Sequence, residues 1–147
     1  MQSSQYFLRP PQDDGEWRSY HAIRRKVLFD RRGQPYDEHH PDEFCAGNHP
    51  LVLFHRGEPV GVMRIDIDLP VAIFRRVAIR EDMQRKGHGT VMLELAERFA
   101  CDNGCSLIRS FVNPEAVGFY ERCGFNQDEA SLSDAQHVLM QKAAKKR

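Results

Sequence analysis

The sequence predicts a single domain of the mixed α/β (α+β) class, spanning residues 1–147. A chain of 147 residues has room for one hydrophobic core. Residues 51–79 contain three short apolar runs separated by turn residues, which is typical of an antiparallel meander. Residues 76–99 then read as a strand, a glycine turn and an amphipathic helix.

The segment 76–99 carries the strongest local signals. Val77 and Ile79 alternate as they would on one face of a strand. Gly87 and Gly89 follow a charged turn. After them, apolar residues recur at the spacing of one helix face, at Met92, Leu95, Ala96 and Phe99.

A glycine turn that opens a helix can bind a phosphate. The first N–H groups of a helix have no partner within it, and the helix dipole makes this end positive. Arg85 and Lys86 add positive charge beside the turn. The turn lacks the Gly-Lys-Ser/Thr of a P-loop and the third glycine of a dinucleotide loop. Without further support, a plain turn before a surface helix explains it equally well.

Composition excludes several classes of protein. Lys and Arg number 21, as do Asp and Glu, so the net charge is +0, whereas a dedicated nucleic-acid binder carries a basic excess. The first residues show no signal-peptide pattern, and the apolar runs are too short to span a bilayer. We therefore expect a cytoplasmic protein that binds neither nucleic acid nor membrane.

The four cysteines are expected to be reduced thiols. They are Cys45, Cys101, Cys105 and Cys123, and none forms a Cys-x-x-Cys pair. A zinc site built from His39, His40 and Cys45 fits no standard ligand spacing, so no metal is expected.

The N-terminal region predicts a short strand and a helix. Residues 6–9 form the strand, which Pro10 and Pro11 stop. Asp13 or Asp14 caps a helix that runs to about Phe29, and residues 34–48 follow as a polar, irregular segment.

The C-terminal region predicts a strand at 106–111, a helix and a last strand at 137–140. Asn113 is the expected N-cap of the helix, with Pro114 at its first position. Residues 142–147 are expected to form a frayed basic tail.

Two motifs together resemble a known family. Gln84-x-x-Gly87-x-Gly89 resembles the acetyl-CoA pyrophosphate loop of the GNAT superfamily of N-acetyltransferases. The second motif is similar to the other hallmark of that family, and its matching residues are Asn113, Ala116, Phe119, Tyr120, Gly124 and Phe125. The two motifs stand in the family's order, one helix and one strand apart. The chain resembles small bacterial members of unassigned substrate.

The resemblance implies a fold and a reaction. The fold is a twisted, mixed, mainly antiparallel sheet of six or seven strands, flanked by about four helices. Two strands, at about 72–79 and 106–111, splay to admit the cofactor. The reaction is direct transfer of an acetyl group from acetyl-CoA, a co-substrate, to a primary amine on a small molecule or peptide.

The resemblance also implies roles for individual residues. Tyr120 would be the general acid that protonates the leaving thiolate, and a backbone N–H near Val77 would bind the oxyanion. The cofactor-binding residues would be Val77, Ala78, Ile79, Gln84, Arg85, Lys86, Gly87, His88, Gly89, Thr90, Asn113 and Phe119.

The sequence departs from the family at the general base. Many members carry a glutamate on the fourth strand, where this chain has Phe74-Arg75-Arg76. Asp66, His55, a carboxylate of residues 37–43 and a water molecule are all candidates. The acidic residues of 37–43 also suggest a cationic amine as acceptor.

Two other functions remain compatible with these patterns. One is a non-catalytic acyl-CoA-binding sensor or partner protein, and the other is a nucleotide-binding module that uses the same glycine turn. The sequence leaves open the amine, the acyl-chain length and whether the protein forms a homodimer.

Overall fold

The computed structural model describes residues 5–30, 33–38, 45–127 and 137–145. Within them the chain forms seven strands and three α-helices. The elements are β1 (Tyr6–Arg9), α1 (Asp14–Arg24), β2 (Asn48–His55), β3 (Glu58–Asp68), β4 (Val71–Ile79), α2 (His88–Asp102), β5 (Leu107–Val112), α3 (Val117–Arg122), β6 (Asn126–Gln127) and β7 (Val138–Ala143).

All seven strands belong to one sheet, in the order β1-β2-β3-β4-β5-β7-β6. Only the β4–β5 pair is parallel among the strand pairs described, and the other pairs are antiparallel. The expected mixed, mainly antiparallel sheet is confirmed. The three α-helices of the described chain are slightly fewer than the four expected.

The side chains of β2 alternate between two hydrophobic cores, one on each face of the sheet. Leu51 and Leu53 pack in the larger core with α2. Val52 and Phe54 point to the opposite face and pack in the smaller core with α1. This is the period-two pattern of a strand covered on both sides, so one helix lies on each side of the central strands.

Helix α1 starts and continues as its residues suggest. The Asp13 side chain accepts a hydrogen bond from the Glu16 N–H at 2.8 Å, which caps the helix as expected. The helix continues through a π-helical turn over Arg25–Phe29. The helical span to Phe29 is therefore right, but the widened last turn has no signal in the residue pattern.

Strand β4 contains a bulge where it passes β3. Val62 pairs with Ala78 and Arg64 pairs with Arg75, so Arg76 and Val77 together oppose one residue of β3. Arg76 has a φ of 55°, which is left-handed and costs an L-residue about 1–2 kcal/mol. The sheet therefore bends at Arg76, the second of the two consecutive arginines of β4.

Strands β4 and β5 separate just before the bulge. Their parallel pairing runs from Val71–Leu107 to Phe74–Ser110 and ends there, although β4 continues to Ile79 and β5 to Val112. The expected splay of these two strands is confirmed, and it opens a gap within the sheet.

Two expectations at the C-terminal end need correction. Asn113 has extended backbone angles, but its side chain makes no capping hydrogen bond, and Pro114–Ala116 forms a 3₁₀ turn before α3. Strand β7 runs to Ala143, three residues beyond its expected end. Lys142 is held there by ion pairing with Glu97 at 2.8 Å, so this part of the tail is ordered by a contact distant in sequence.

Candidate active site

A cleft of about 640 Å³, the cofactor cleft, lies in the gap between β4 and β5. Its walls come from β4, the turn before α2, β5 and α3. Eleven of the thirteen site residues expected from the sequence line it. They are Val77, Ala78, Ile79, Gln84, Arg85, Gly87, Gly89, Thr90, Asn113, Phe119 and Tyr120.

The other two expected residues, Lys86 and His88, do not line this cleft. Lys86 is exposed. The His88 side chain is buried, and its Nδ1 is hydrogen-bonded to the Tyr6 hydroxyl at 2.8 Å. Burial lowers the pKa of His88, and electrostatic interaction with His55 and Lys86 lowers it further. His88 therefore ties the start of α2 to β1, and only its backbone faces the turn.

The turn before α2 owes its shape to its two glycines in different ways. Gly87 has a φ of 88°, and a Cβ there would meet open space, so the backbone conformation alone requires glycine. A Cβ on Gly89 would lie 3.1 Å from Phe119 Cζ, so the close approach of α3 requires glycine there. The Gln84 side-chain amide donates to the Ile79 carbonyl at 3.0 Å and ties the turn to the end of β4.

Tyr120 lies where the two strands part. Its side chain is only 6% exposed, and its hydroxyl interacts with the side chain of Ser110, the last β5 residue paired with β4. The Ser110 hydroxyl donates in turn to the Phe74 carbonyl at 3.1 Å. Burial raises the pKa of Tyr120 to about 12, so the phenol carries its proton at neutral pH.

A second cleft of about 740 Å³, the acceptor cleft, lies on the α1 side of the sheet. It meets the cofactor cleft at three residues that line both, Arg76, Phe111 and His137. The junction lies beside the bulge in β4, and the two clefts share these residues as a common wall.

Asp66 in the acceptor cleft is held by two arginines. Its carboxylate accepts hydrogen bonds from Arg64 Nε at 2.7 Å, from a terminal nitrogen of Arg64 at 2.9 Å and from Arg75 Nε at 2.8 Å. With three charge-assisted bonds, this carboxylate orients the arginines and is poorly placed to accept a proton from an amine.

The remaining candidates for the general base are separated by the fold. His55 stacks on Tyr6 at 4.3 Å between ring centroids and lines neither cleft. Asp37 does line the acceptor cleft. Residues 39–43, which hold Asp42 and Glu43, lie outside the described residues.

Sequence reasoning missed the three residues of the junction, Arg76, Phe111 and His137, and also Ser110 in the cofactor cleft. Ser110 and Phe111 lie on the expected strand, but only the end of strand pairing brings them to the cleft. His137 comes from the far end of the chain, and no local pattern connects it to β4.

The described chain offers no support for two other kinds of site. Among the described residues no group of three or more His, Cys, Asp or Glu side chains could hold a metal ion. None of the described helices is long and apolar enough to cross a membrane. All four cysteines are described and form no disulfide.

Comparison with known protein families identifies this arrangement. The model of the acetyltransferase (GNAT) family matches residues 14–125, which include both motifs and most of both clefts. The chain belongs to the GNAT family. It is therefore an acyltransferase of a family that uses acyl-CoA and transfers acyl groups to amines.

Individual GNAT proteins are similar to this chain over most of its length. A provisionally named acetyltransferase of Bacillus subtilis (strain 168) is 29% identical over 125 residues, covering 82% of this chain and 84% of the relative. A spermidine N-acetyltransferase from Vibrio cholerae, solved with CoA and spermine, has a TM-score of 0.75 and 20% identity, covering 96% of each chain. A provisionally named N-acetyltransferase from Lactobacillus plantarum has a TM-score of 0.79 and 22% identity, covering 95% of this chain and 97% of that one. These two structures share its fold.

Proposed function

We propose that this GNAT protein, acting as a single N-acetyltransferase domain over residues 1–147, transfers an acetyl group from acetyl-CoA directly to a primary amine. The observation that carries the proposal is the meeting of two clefts at Arg76, Phe111 and His137. One cleft has the features of a CoA site, and the other leaves space for an acceptor. Direct transfer needs both substrates bound at once with their reacting atoms adjacent.

The residues present fit CoA in two respects. The backbone of Val77 and Ile79 lies along the gap and can pair with the amide groups of the pantetheine arm, as an added strand would. The N–H groups from Arg85 to Thr90 belong to the glycine turn and the first residues of α2, and they can hold the pyrophosphate. When bound, the thioester supplies an activated acetyl group.

Two groups of this chain can stabilise charge during transfer. The bulge at Arg76 and Val77 leaves two residues of β4 opposite one of β3, so the ladder is interrupted and the Val77 N–H is a candidate donor to the oxyanion. Tyr120 can donate its phenolic proton to the departing sulfur, because burial keeps it protonated.

The proton of the attacking amine needs an acceptor in the junction. His137 is half-buried and lines both clefts. We assign it the role of general base, since an imidazole placed where the two clefts meet can accept a proton and Asp66 is engaged by two arginines.

The test is a binding and turnover assay. Acetyl-CoA should raise the unfolding temperature, and amines should release free thiol in proportion to acetylated product. Acetyl-CoA should be a better donor than longer acyl-CoAs. Absence of thiol release with every amine, despite tight binding, would favour a non-catalytic acyl-CoA sensor. That alternative rests on the absence of a carboxylate from Phe74-Arg75-Arg76.

A further inference from the structure

The described wall of the acceptor cleft carries more arginines than carboxylates. Four arginines and two aspartates line it: Arg24, Arg64, Arg75, Arg76, Asp37 and Asp66. A concave site with an excess of one charge raises the local concentration of the opposite charge. The described wall therefore favours a negatively charged ligand, in contrast to the cationic amine suggested by the acidic residues of 37–43.

Asp66 holds Arg64 and Arg75 close together although both carry a positive charge. Arg64 and Arg75 are direct partners on adjacent strands. Like charges in this position destabilise a sheet. Asp66 lies two residues along β3 and accepts hydrogen bonds from both. One carboxylate thus fixes two guanidinium groups side by side, which is a geometry suited to binding a second oxyanion.

Arg75 is the member of this pair that a ligand can reach. Its side chain is 39% exposed, whereas that of Arg64 is 8% exposed. The bond from Nε to Asp66 uses one of the five N–H donors of a guanidinium group. Arg75 also lies 5.7 Å above the centroid of Phe111, a residue of the junction between the clefts.

Of the two described carboxylates of the acidic segment, Asp37 and Glu38, one points away from this wall. Glu38 forms an ion pair with Arg25 at 3.2 Å, and neither lines the acceptor cleft. Among the described residues of the segment, Asp37 alone lines that cleft.

We propose that the acceptor is an amine bearing a compact oxyanion, a carboxylate or a phosphate, and that Arg75 is the residue that selects it. The inference rests on the proposed function and specifies its substrate class. The amine would lie at the junction near His137, with the oxyanion along the wall formed by Arg75, Arg64 and Asp66.

The experiment compares amines that differ only in the group at the far end. Four series with two to five carbons are used: ω-amino carboxylates, ω-amino phosphates, n-alkylamines and α,ω-diamines. Binding is measured by thermal shift with the intact chain saturated with CoA, which cannot transfer an acyl group. Turnover is measured by thiol release from acetyl-CoA. The carboxylate and phosphate series together test the oxyanion, and the difference between them identifies which is preferred.

Variants of Arg75 test the selecting residue. Arg75→Gln should lower kcat/KM for the preferred anionic amine by roughly 10- to 100-fold, the usual effect of losing a hydrogen bond to a charged group. It should leave kcat/KM for the n-alkylamine and the KM for acetyl-CoA nearly unchanged. Arg75→Lys should recover part of the loss, because it restores the positive charge but not the paired N–H donors of a guanidinium group. Arg56→Gln, an exposed change outside both clefts, is the control.

The outcomes separate this inference from the proposed function. Binding of an anionic series to the CoA complex, lost in Arg75→Gln, supports the inference even if no amine is acetylated. In that case acetyl transfer to these amines is disproved, while the inferred binding of an oxyanion by Arg75 still holds. Preference for diamines or n-alkylamines in binding or turnover overturns the inference and leaves acetyl transfer standing. Equal binding of anionic ligands by the parent and by Arg75→Gln also overturns the role of Arg75.

Discussion

The Tyr120 hydroxyl lies beside the side chain of Ser110, the residue at which β5 stops pairing with β4. The proton donor of the proposed reaction is thereby fixed at the end of the gap that admits the cofactor. Because Ser110 donates to the Phe74 carbonyl, a hydrogen bond joins the two strands directly beside the phenol.

Replacement of Tyr120 by Phe should slow turnover far more than it weakens binding. The ring and its packing are kept, but the proton is lost. We expect kcat to fall by about 10²–10⁴-fold with little change in the affinity for acetyl-CoA by thermal shift. Tyr6→Phe removes another buried hydroxyl, outside both clefts, and should retain most of kcat. An unchanged kcat for Tyr120→Phe, with chemistry rate-limiting, would exclude the role.

The pH dependence of kcat should show no alkaline loss caused by Tyr120 below about pH 10. Burial raises its pKa to about 12, so the phenol remains a proton donor through this range. Initial rates of thiol release between pH 6 and 10, each at saturating substrate, measure the profile. A descending limb that is present in the parent and disappears in Tyr120→Phe would contradict the expectation.

Gly87 and Gly57 form a matched pair for testing the phosphate-binding turn. Their φ values are 88° and 83°, and a Cβ would meet open space at either, so an alanine imposes similar backbone strain. Each change should destabilise the fold by about 1–2 kcal/mol. Only Gly87→Ala should weaken acetyl-CoA binding, since Gly57 lies in the β2–β3 turn. Equal affinities in the two variants would remove this turn from the cofactor site.

Gly89→Glu should abolish stabilisation by acetyl-CoA for a different reason. The new side chain collides with Phe119 and adds negative charge at the start of α2, where a phosphate would bind. Part of the fold's stability should be lost as well, because Phe119 must shift. Thermal unfolding with and without acetyl-CoA separates the two effects. A ligand-induced shift equal to that of the parent would disprove the assignment.

Acid should destabilise the protein in part through His88. Its folded-state pKa lies below the usual 6.5, so the unfolded chain binds the proton more tightly. The contribution to stability is complete above the unfolded pKa and decreases as the pH falls below it. The unfolding free energy of the parent should therefore drop more between pH 7.5 and 5.5 than that of His88→Gln. Parallel pH profiles for the two proteins would contradict this.

Sequence patterns are informative where the cause of a structure is local. Gly87 needs a left-handed backbone, Asp13 caps its own helix, and the apolar spacing after Gly89 gives one helix face. Each of these depends on neighbours within a few residues, which a sequence displays directly.

Features that depend on strand register could not be predicted. Asp66 was a candidate base from sequence, but the pairing of Arg64 with Arg75 makes it their shared acceptor. Arg76 adopts a left-handed backbone conformation although it is not a glycine, so its residue type does not predict this conformation. His137 reaches the junction only because β7 lies beside β5.

The gap between β4 and β5 has a consequence for the protein without its substrate. Beyond Phe74 and Ser110, the facing sides of these strands behave as two exposed sheet edges in the middle of the molecule. Amide hydrogens of Val77 and Ile79 that face the gap should exchange with solvent rapidly until CoA fills it. CoA would then act as a folding aid as well as a reactant, and would protect newly made chains from edge-to-edge aggregation.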